Sequence, residues 1–224
     1  MQPLDARQNL ETMPAFERIA YVLRDEIISG GMVCGQQLVE QDLAQTLNVS
    51  RNTIREALRC LHGEGLVCYQ RNYGVTVRSL GIADVVDIYL ARNAIEVSAL
   101  EGGRRVPPHI VDMLAGIVNE AEAAVYAKDE QKVATYSLRF HQGIVAIHGS
   151  ARLQYFFATI AAQLRLLFAS VPDEARFQVP WVARDREILN ALRAGCYDDA
   201  KHILRHYINE SEQSLIRLLT SIQS

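Results

Sequence analysis

Long apolar runs are missing from this 224-residue chain, and none approaches the roughly 18 to 20 residues needed to cross a bilayer. The opening MQPLDARQNLETMP carries neither the basic nor the apolar region of a secretory leader. The expected location is therefore cytoplasmic, with no membrane partner. Cysteine is scarce: the four, Cys34, Cys60, Cys68 and Cys196, form no CxxC pair, which argues against a zinc knuckle or a disulfide framework and suits reduced thiols. Also absent are a nucleophile elbow, a phosphate-binding glycine loop, an HExxH helix and a kinase-like set. Histidine with scattered acids makes no catalytic constellation, so the chain is not read as an enzyme. Repeats and low-complexity segments are lacking too. So is an excess of positive charge, since 23 basic residues face 26 acidic ones for a net charge of -3.

What is present is a core-forming composition, 49% hydrophobic, over a length that suits two modest domains. The charge is also unevenly placed. Between Ser50 and Arg78 stand Arg51, Arg55, Arg59, Arg71 and Arg78 against only Glu56 and Glu64, which concentrates positive charge as phosphate contact requires.

Helical spacing of Phe16, Ile19, Ala20, Leu23 and Ile27 predicts a helix from about Pro14 to Ser29, stopped by Gly30-Gly31. MVCGQQL follows as an irregular bend. VEQDLAQTL predicts a short helix ending at Asn48, and Ser50 caps another, with Val49 and Ile54 placed for a hydrophobic staple. Two short helices across a tight turn suggest a helix-turn-helix. After Gly63 and Gly65 the period becomes alternating, LVCYQ and VTV around a turn at Arg71-Asn72-Tyr73-Gly74, which predicts a hairpin or wing. Beyond Ser79 no strand signal remains. Helical patterns recur at about 82–105, 108–127, 130–148, 151–171, 174–194 and 198–222, with a break at Pro172-Asp173 among others. The fold expected is mainly α. A mobile arm (1–13) precedes a winged helix-turn-helix of three helices and a small β-hairpin (14–78). An antiparallel bundle of about six helices follows (79–224).

Within VSRNTIREALRCLHGEGLV, Ile54, Ala57, Leu58 and Leu61 form an inward stripe and leave Arg51, Asn52, Thr53 and Arg55 near the helix start. A recognition helix sets such groups against base edges and phosphates in the major groove. A solvated face on an ordinary helix would look the same.

The string LRDEIISGGMVCGQQLVEQDLAQTLNVSRNTIREALRCLHGEGLVCYQRNYGVTV resembles the winged-helix domain of the GntR family of transcription regulators in order and spacing. The resemblance implies that Arg51, Thr53 and Arg55 meet double-stranded operator DNA, with Arg71, Asn72 and Gly74 in a wing reaching the minor groove. Many members carry Arg where this chain has Gln41, which puts operator preference in question. The second half, through DIYLARNAIE, RFHQGI and EILNALRAGCYDDA, resembles the FCD domain of the FadR subfamily. There a helical bundle encloses a cavity, often with a divalent metal (Zn, Ni or Mn) on one Asp and three His that holds a carboxylate effector. Those positions fall here on Ser137, His141, Asp185 and Tyr207, so only His141 is kept. Asp185 lies on the apolar stripe of Trp181, Val182, Ile188 and Leu189. Ser137 and His141 share a stripe with Ile144 and His148, and Tyr207 continues Ala200, Ile203 and Leu204. Two readings stand: a metal on His141 and Asp185, or a metal-free hydrogen-bonded pocket.

Arg92, between Tyr89 and Glu96, is placed by the resemblance to meet an anionic effector, and its planar guanidinium suits a carboxylate. The alternative is a surface pair with Glu96 four residues on. Trp181 and the run Tyr155-Phe156-Phe157 are expected in the core. What the resemblance implies overall is a homodimeric repressor whose operator affinity a small carboxylate metabolite controls, with activation as the alternative.

Overall fold

The computed structural model describes residues 13–101, 105–171 and 174–223. The expected N-terminal arm, except for Met13, and the break at Pro172-Asp173 lie outside the described residues. The chain divides into two compact units, Met1–Ser79 and Leu80–Ser224.

The first unit runs α1 (Ala15–Ile28), β1 (Gln37–Leu38), α2 (Glu40–Thr46), α3 (Arg51–Gly63), β2 (Val67–Gln70) and β3 (Gly74–Val77). Its core follows from helical spacing. α1 buries Ile19, Ala20, Leu23, Ile27 and Ile28, and α3, packed against it, buries Ile54, Ala57, Leu58 and Leu61. Truncating one of the fully buried leucines or isoleucines to Ala costs about 2–5 kcal/mol. Asn48 turns the chain between α2 and α3 with a left-handed backbone (φ 52°), a conformation that Asn tolerates better than most residues.

The bend expected at MVCGQQL contains the short strand β1, and the sheet has three strands in the order β1-β3-β2, all antiparallel. β1 pairs Gln37 with Thr76 and Leu38 with Val75. Gly35 N–H donates to Val77 O and Val77 N–H to Gln36 O, both at 2.9 Å. A hairpin alone would leave one edge of β3 unpaired. Two residues are too few to show an alternating pattern, so the third strand is silent in the sequence.

The second unit is helical throughout its described residues: α4 (Ile82–Ala99), α5 (Pro108–Ala127), α6 (Glu130–Ala146), α7 (Ala151–Phe168), α8 (Glu174–Ala194) and α9 (Tyr197–Gln223). α4 stops at Ala99, ahead of the expected Arg105, where Gly102-Gly103 offer poor helix propensity. Caps are local and readable: Asp129 and Ser150 side chains accept from Lys132 and Leu153 N–H at the starts of α6 and α7. α6 packs against α4, α5, α7 and α8, and α9 against α4 and α8. At the α5–α6 contact a Cβ on Gly143 would lie 2.6 Å from Leu114 Cδ2, so glycine permits the close approach. Of the aromatic run on α7, Phe157 is fully buried, but Tyr155 and Phe156 are exposed. A helix turning about 100° per residue presents three consecutive side chains to different directions. No described helix is long and apolar enough to cross a membrane.

Candidate DNA-binding face and buried polar cluster

The start of α3 is held open by its own cap. Ser50 Oγ accepts the Thr53 N–H at 3.1 Å and lies 2.8 Å from Thr53 Oγ1. This satisfies one of the orphan donors of the first turn. Arg51 and Asn52 project into solvent beside it, and Arg51 has no ion pair among the described residues. Arg55, one turn on, is also exposed, but it is not free. Its Nη2 and Nε donate to Glu40 Oε2 and Oε1 at 2.9 and 3.3 Å. The fork fixes the guanidinium and leaves three of its five N–H groups uncommitted. Glu40 escaped the sequence reading because it lies fifteen residues away on another helix. Gln41 follows it on the exposed side of α2.

The wing is braced from the other end of the unit. Gln37 Nε2 donates to Tyr73 O at 2.5 Å, tying β1 to the hairpin tip. Asn72 and Gly74 take left-handed backbones, φ 65° and 86°, and at Gly74 a side chain would be strained. Arg71 and Asn72 stand exposed at the tip. Of the arginine cluster, Arg59 is turned back onto Glu56 at 2.8 Å. Glu64 binds Arg24 through two contacts of 2.9 and 2.5 Å. Arg24 is 2% exposed, and this pair, unanticipated from sequence, clamps α1 to the end of α3.

In the second unit α4, α6, α8 and α9 bring together every residue expected at the effector site. Arg92 Nε donates to Glu96 Oε1 at 2.7 Å, and His141 Nδ1 lies 2.5 Å from Glu96 Oε2. The alternative of a surface pair does not hold, for both residues are wholly buried, Arg92 at 2% and Glu96 at 0% exposure. Its one-turn spacing on the apolar stripe of Tyr89 was the available signal. Ser137 Oγ and Tyr207 Oη are 3.2 Å apart. Trp181 stacks on Tyr207, with ring centroids 4.9 Å apart and planes within 6°. Trp181 is therefore a wall of the cluster rather than anonymous core.

Electrostatics assign the protonation states. Burial pulls Arg92 down, yet the charge and hydrogen bond of Glu96 together with Tyr89 and Tyr207 outweigh it and the guanidinium stays charged. Burial pushes Glu96 up, but Arg92 and then His141 hold its carboxyl below the ordinary range. Burial lowers His141, helped by Arg92 and opposed by Glu96. The neutral imidazole thus donates Nδ1–H to the Glu96 carboxylate and keeps a lone pair on Nε2. Asp185, 1% exposed, is pushed well above the carboxylate range by burial, with Arg92 opposing and Glu96 adding to the rise.

Several buried groups remain unmatched: Arg92 Nη2, His141 Nε2, Gln178 Nε2, Trp181 Nε1 and both Asp185 oxygens make no hydrogen bond. All of these but the Asp185 oxygens belong to residues lining a cavity of about 10 Å³, whose wall also includes Tyr89 and Tyr207. That is room for one water. His141 Nε2 and Asp185 Oδ1 face each other at 3.9 Å. They do not make a metal centre. The remaining two family positions are the neutral hydroxyls of Ser137 and Tyr207, and no group of three His, Cys, Asp or Glu among the described residues is placed to hold an ion.

Comparison with known proteins bears on both units. A family model described as "Bacterial regulatory proteins, gntR family" matches residues 15–77, and one for the FCD domain matches residues 87–210. The "Gluconate operon transcriptional repressor" of Bacillus licheniformis is 33% identical over 129 residues, 57% of this chain and 53% of that protein. The alignment thus spans about half of that relative. The "Probable D-xylose utilization operon transcriptional repressor" of Paenarthrobacter nicotinovorans is 24% identical over 82% of this chain and 80% of its own length. Among solved structures, a "putative transcriptional regulator GntR" from Rhodococcus sp. RHA1 superposes with a TM-score of 0.81 at 30% identity, covering 90% of this chain and 97% of that one.

Proposed function

The chain belongs to the gntR family of bacterial regulatory proteins, with an FCD domain behind its winged helix, and on that premise we propose that it is a homodimeric repressor released by a small anionic metabolite. DNA-binding regulation is the property of the family; the repressor role, the dimer and the metabolite are the proposal. The observation that carries it is the capped, exposed start of α3. There Arg51 is open to solvent and Arg55 is held in a fixed orientation by Glu40. Arg51, Asn52 and Arg55 would meet base edges, Thr53 and the helix terminus would meet phosphate, and Gln41 would lie at the flank. Arg71, Asn72 and Gly74 would carry the wing into the adjacent groove. Two such heads in a dimer read a pseudo-palindromic site.

Control is assigned to the second unit. A buried arginine with an uncommitted N–H, beside an unpaired carboxyl and imidazole, is a recognition site for a carboxylate-bearing metabolite, with Arg92, Ser137, His141, Asp185 and Tyr207 around it. The cavity is closed at about 10 Å³, so the effector must favour a state in which these helices stand apart. Any such preference shifts DNA affinity reciprocally.

The test is a duplex-binding titration at several salt concentrations. Arg51→Ala with Arg55→Ala together should lower affinity for the cognate operator by about a hundredfold or more and flatten the salt dependence. The circular dichroism spectrum should not change. Unaltered affinity would remove α3 from the interface. Arg92→Ala should leave apo-protein DNA binding intact and abolish effector release.

A further inference from the structure

Apart from Tyr89 Oη, which can donate or accept, the unmatched groups of the bundle cluster sort by chemical type. Arg92 Nη2, Gln178 Nε2 and Trp181 Nε1 are donors without acceptors. His141 Nε2 is an acceptor without a donor, because the Glu96 carboxylate fixes the imidazole proton on Nδ1, and neither Asp185 oxygen has a partner; a cation seated against Asp185 offsets its burial and makes it an acceptor as well. The 3.9 Å gap between His141 Nε2 and Asp185 Oδ1 is too long for a hydrogen bond. A single N–H-bearing atom seated at ordinary hydrogen-bond length, roughly 2.8 Å from each, spans it.

A ligand offering only carboxylate oxygens satisfies the three donors and leaves Asp185 without a partner, at the full cost of an unmade buried hydrogen bond. One offering only an amine does the opposite. Net charge points the same way. Arg92 is already neutralised by Glu96, so a dicarboxylate would bring uncompensated negative charge into a buried site, whereas a zwitterion adds none. The walls are aromatic: Trp181 stacked on Tyr207, with Phe168 and Phe177 completing the lining. They favour an apolar substituent and also accept an ammonium group against their faces.

We propose that the ligand of this cluster is a small free amino acid, its ammonium group held between Asp185 and His141 and its carboxylate by Arg92, Gln178 and Trp181. The proposal rests on the effector-pocket reading above and narrows it from carboxylates in general to zwitterions. Entry requires the lining to part, and α8 offers a weak point. Pro180 lies inside it and donates no backbone N–H, so the turn carrying Gln178 is held by one hydrogen bond fewer.

The experiment is titration calorimetry of the full chain with glycine and the L-forms of alanine, valine, leucine and phenylalanine. Each is paired with the acid in which hydroxyl (for glycine, glycolate) replaces the amine. At least one amino acid should bind, and its hydroxy analogue should bind at least tenfold more weakly. Asp185→Asn should erase that preference while the variant still unfolds in one cooperative transition. If the hydroxy acids bind as tightly as the amino acids, and Arg92→Ala weakens them, the zwitterion assignment is overturned and the carboxylate pocket stands. If neither series binds the wild-type chain, the zwitterion assignment fails. If Arg92→Ala in addition leaves the regulator's metabolite response unchanged, the pocket reading fails as well.

Discussion

Two Arg–Glu pairs of nearly the same geometry do opposite things in this molecule. Arg55 and Glu40 meet at 2.9 Å with side chains 46% and 22% exposed, while Arg92 and Glu96 meet at 2.7 Å at 2% and 0%. In water the attraction is screened, and either partner can exchange to solvent or to a phosphate. In the bundle both charges have lost their hydration, so each depends on the other. A distance therefore says little about an ion pair until its burial is known. The exposed pair orients a side chain for a partner still to come; the buried one ties α4 to His141 on α6.

Breaking the pairs separately tests this directly. Glu96→Ala leaves Arg92 buried and unpaired and removes the acceptor of His141 Nδ1–H. The bundle should lose about 3–5 kcal/mol of stability, measured by urea unfolding. Glu40→Ala should leave unfolding nearly unchanged and show its effect in operator affinity alone, through the freed Arg55. Equal stability losses in the two variants would mean that burial does not separate them.

Asp185 sharpens the contrast on a smaller scale. Its folded-state carboxyl is raised well above the ordinary 3.8 by burial. The folded protein therefore retains a proton that the unfolded chain has released, and the stability from this group is complete below the ordinary carboxylate range and lost as pH rises. Asp185→Asn cannot release that proton. Its melting temperature relative to wild type should climb as pH rises above the ordinary carboxylate value of 3.8. His141 runs the other way: burial lowers its folded value below 6.5, so its contribution is lost as pH falls. Arg92, Glu96, His141 and Tyr207, the groups facing Asp185, are present in both proteins, and the difference between them isolates the carboxyl. A gap that stays constant with pH would mean that Asp185 is ionised in the folded state.

The contrast also explains what the sequence could disclose. Helix spacing, the Ser50 cap and the change to an alternating pattern at Val67 are properties of neighbouring residues, and they delivered the two-part architecture with most helix ends. The stripes carrying Ser137, His141, Asp185 and Tyr207 were equally local, so their inward direction was readable. Their mutual contacts were not. Glu96 as the hub between Arg92 and His141, Trp181 stacked on Tyr207, Glu40 on Arg55 and Arg24 on Glu64 all depend on which helices pack together. The two-residue strand β1 depends on an edge that exists only after β3 has formed. That no group of three His, Cys, Asp or Glu gathers to hold an ion among the described residues is a further tertiary fact, for it turns on which side chains the helices bring to His141 Nε2.

Gln41 supplies the smallest and finest probe of the exposed side. It follows Glu40 on α2 and is solvent-exposed with an uncharged side chain, so it adds nothing to the counterion release that drives phosphate binding. If the start of α2 flanks the DNA backbone, Gln41→Arg adds one phosphate contact per subunit. The slope of log affinity against log salt should then steepen by about 0.9 for each contact. The gain should appear on operator and unrelated duplex alike, because a phosphate contact reads no sequence. A gain confined to the operator would mean instead that position 41 reaches a base edge, where arginine grips guanine with two hydrogen bonds. Bundle stability gives the control: the substitution lies in the other compact unit, and the transition that Glu96→Ala lowers should stay where it is.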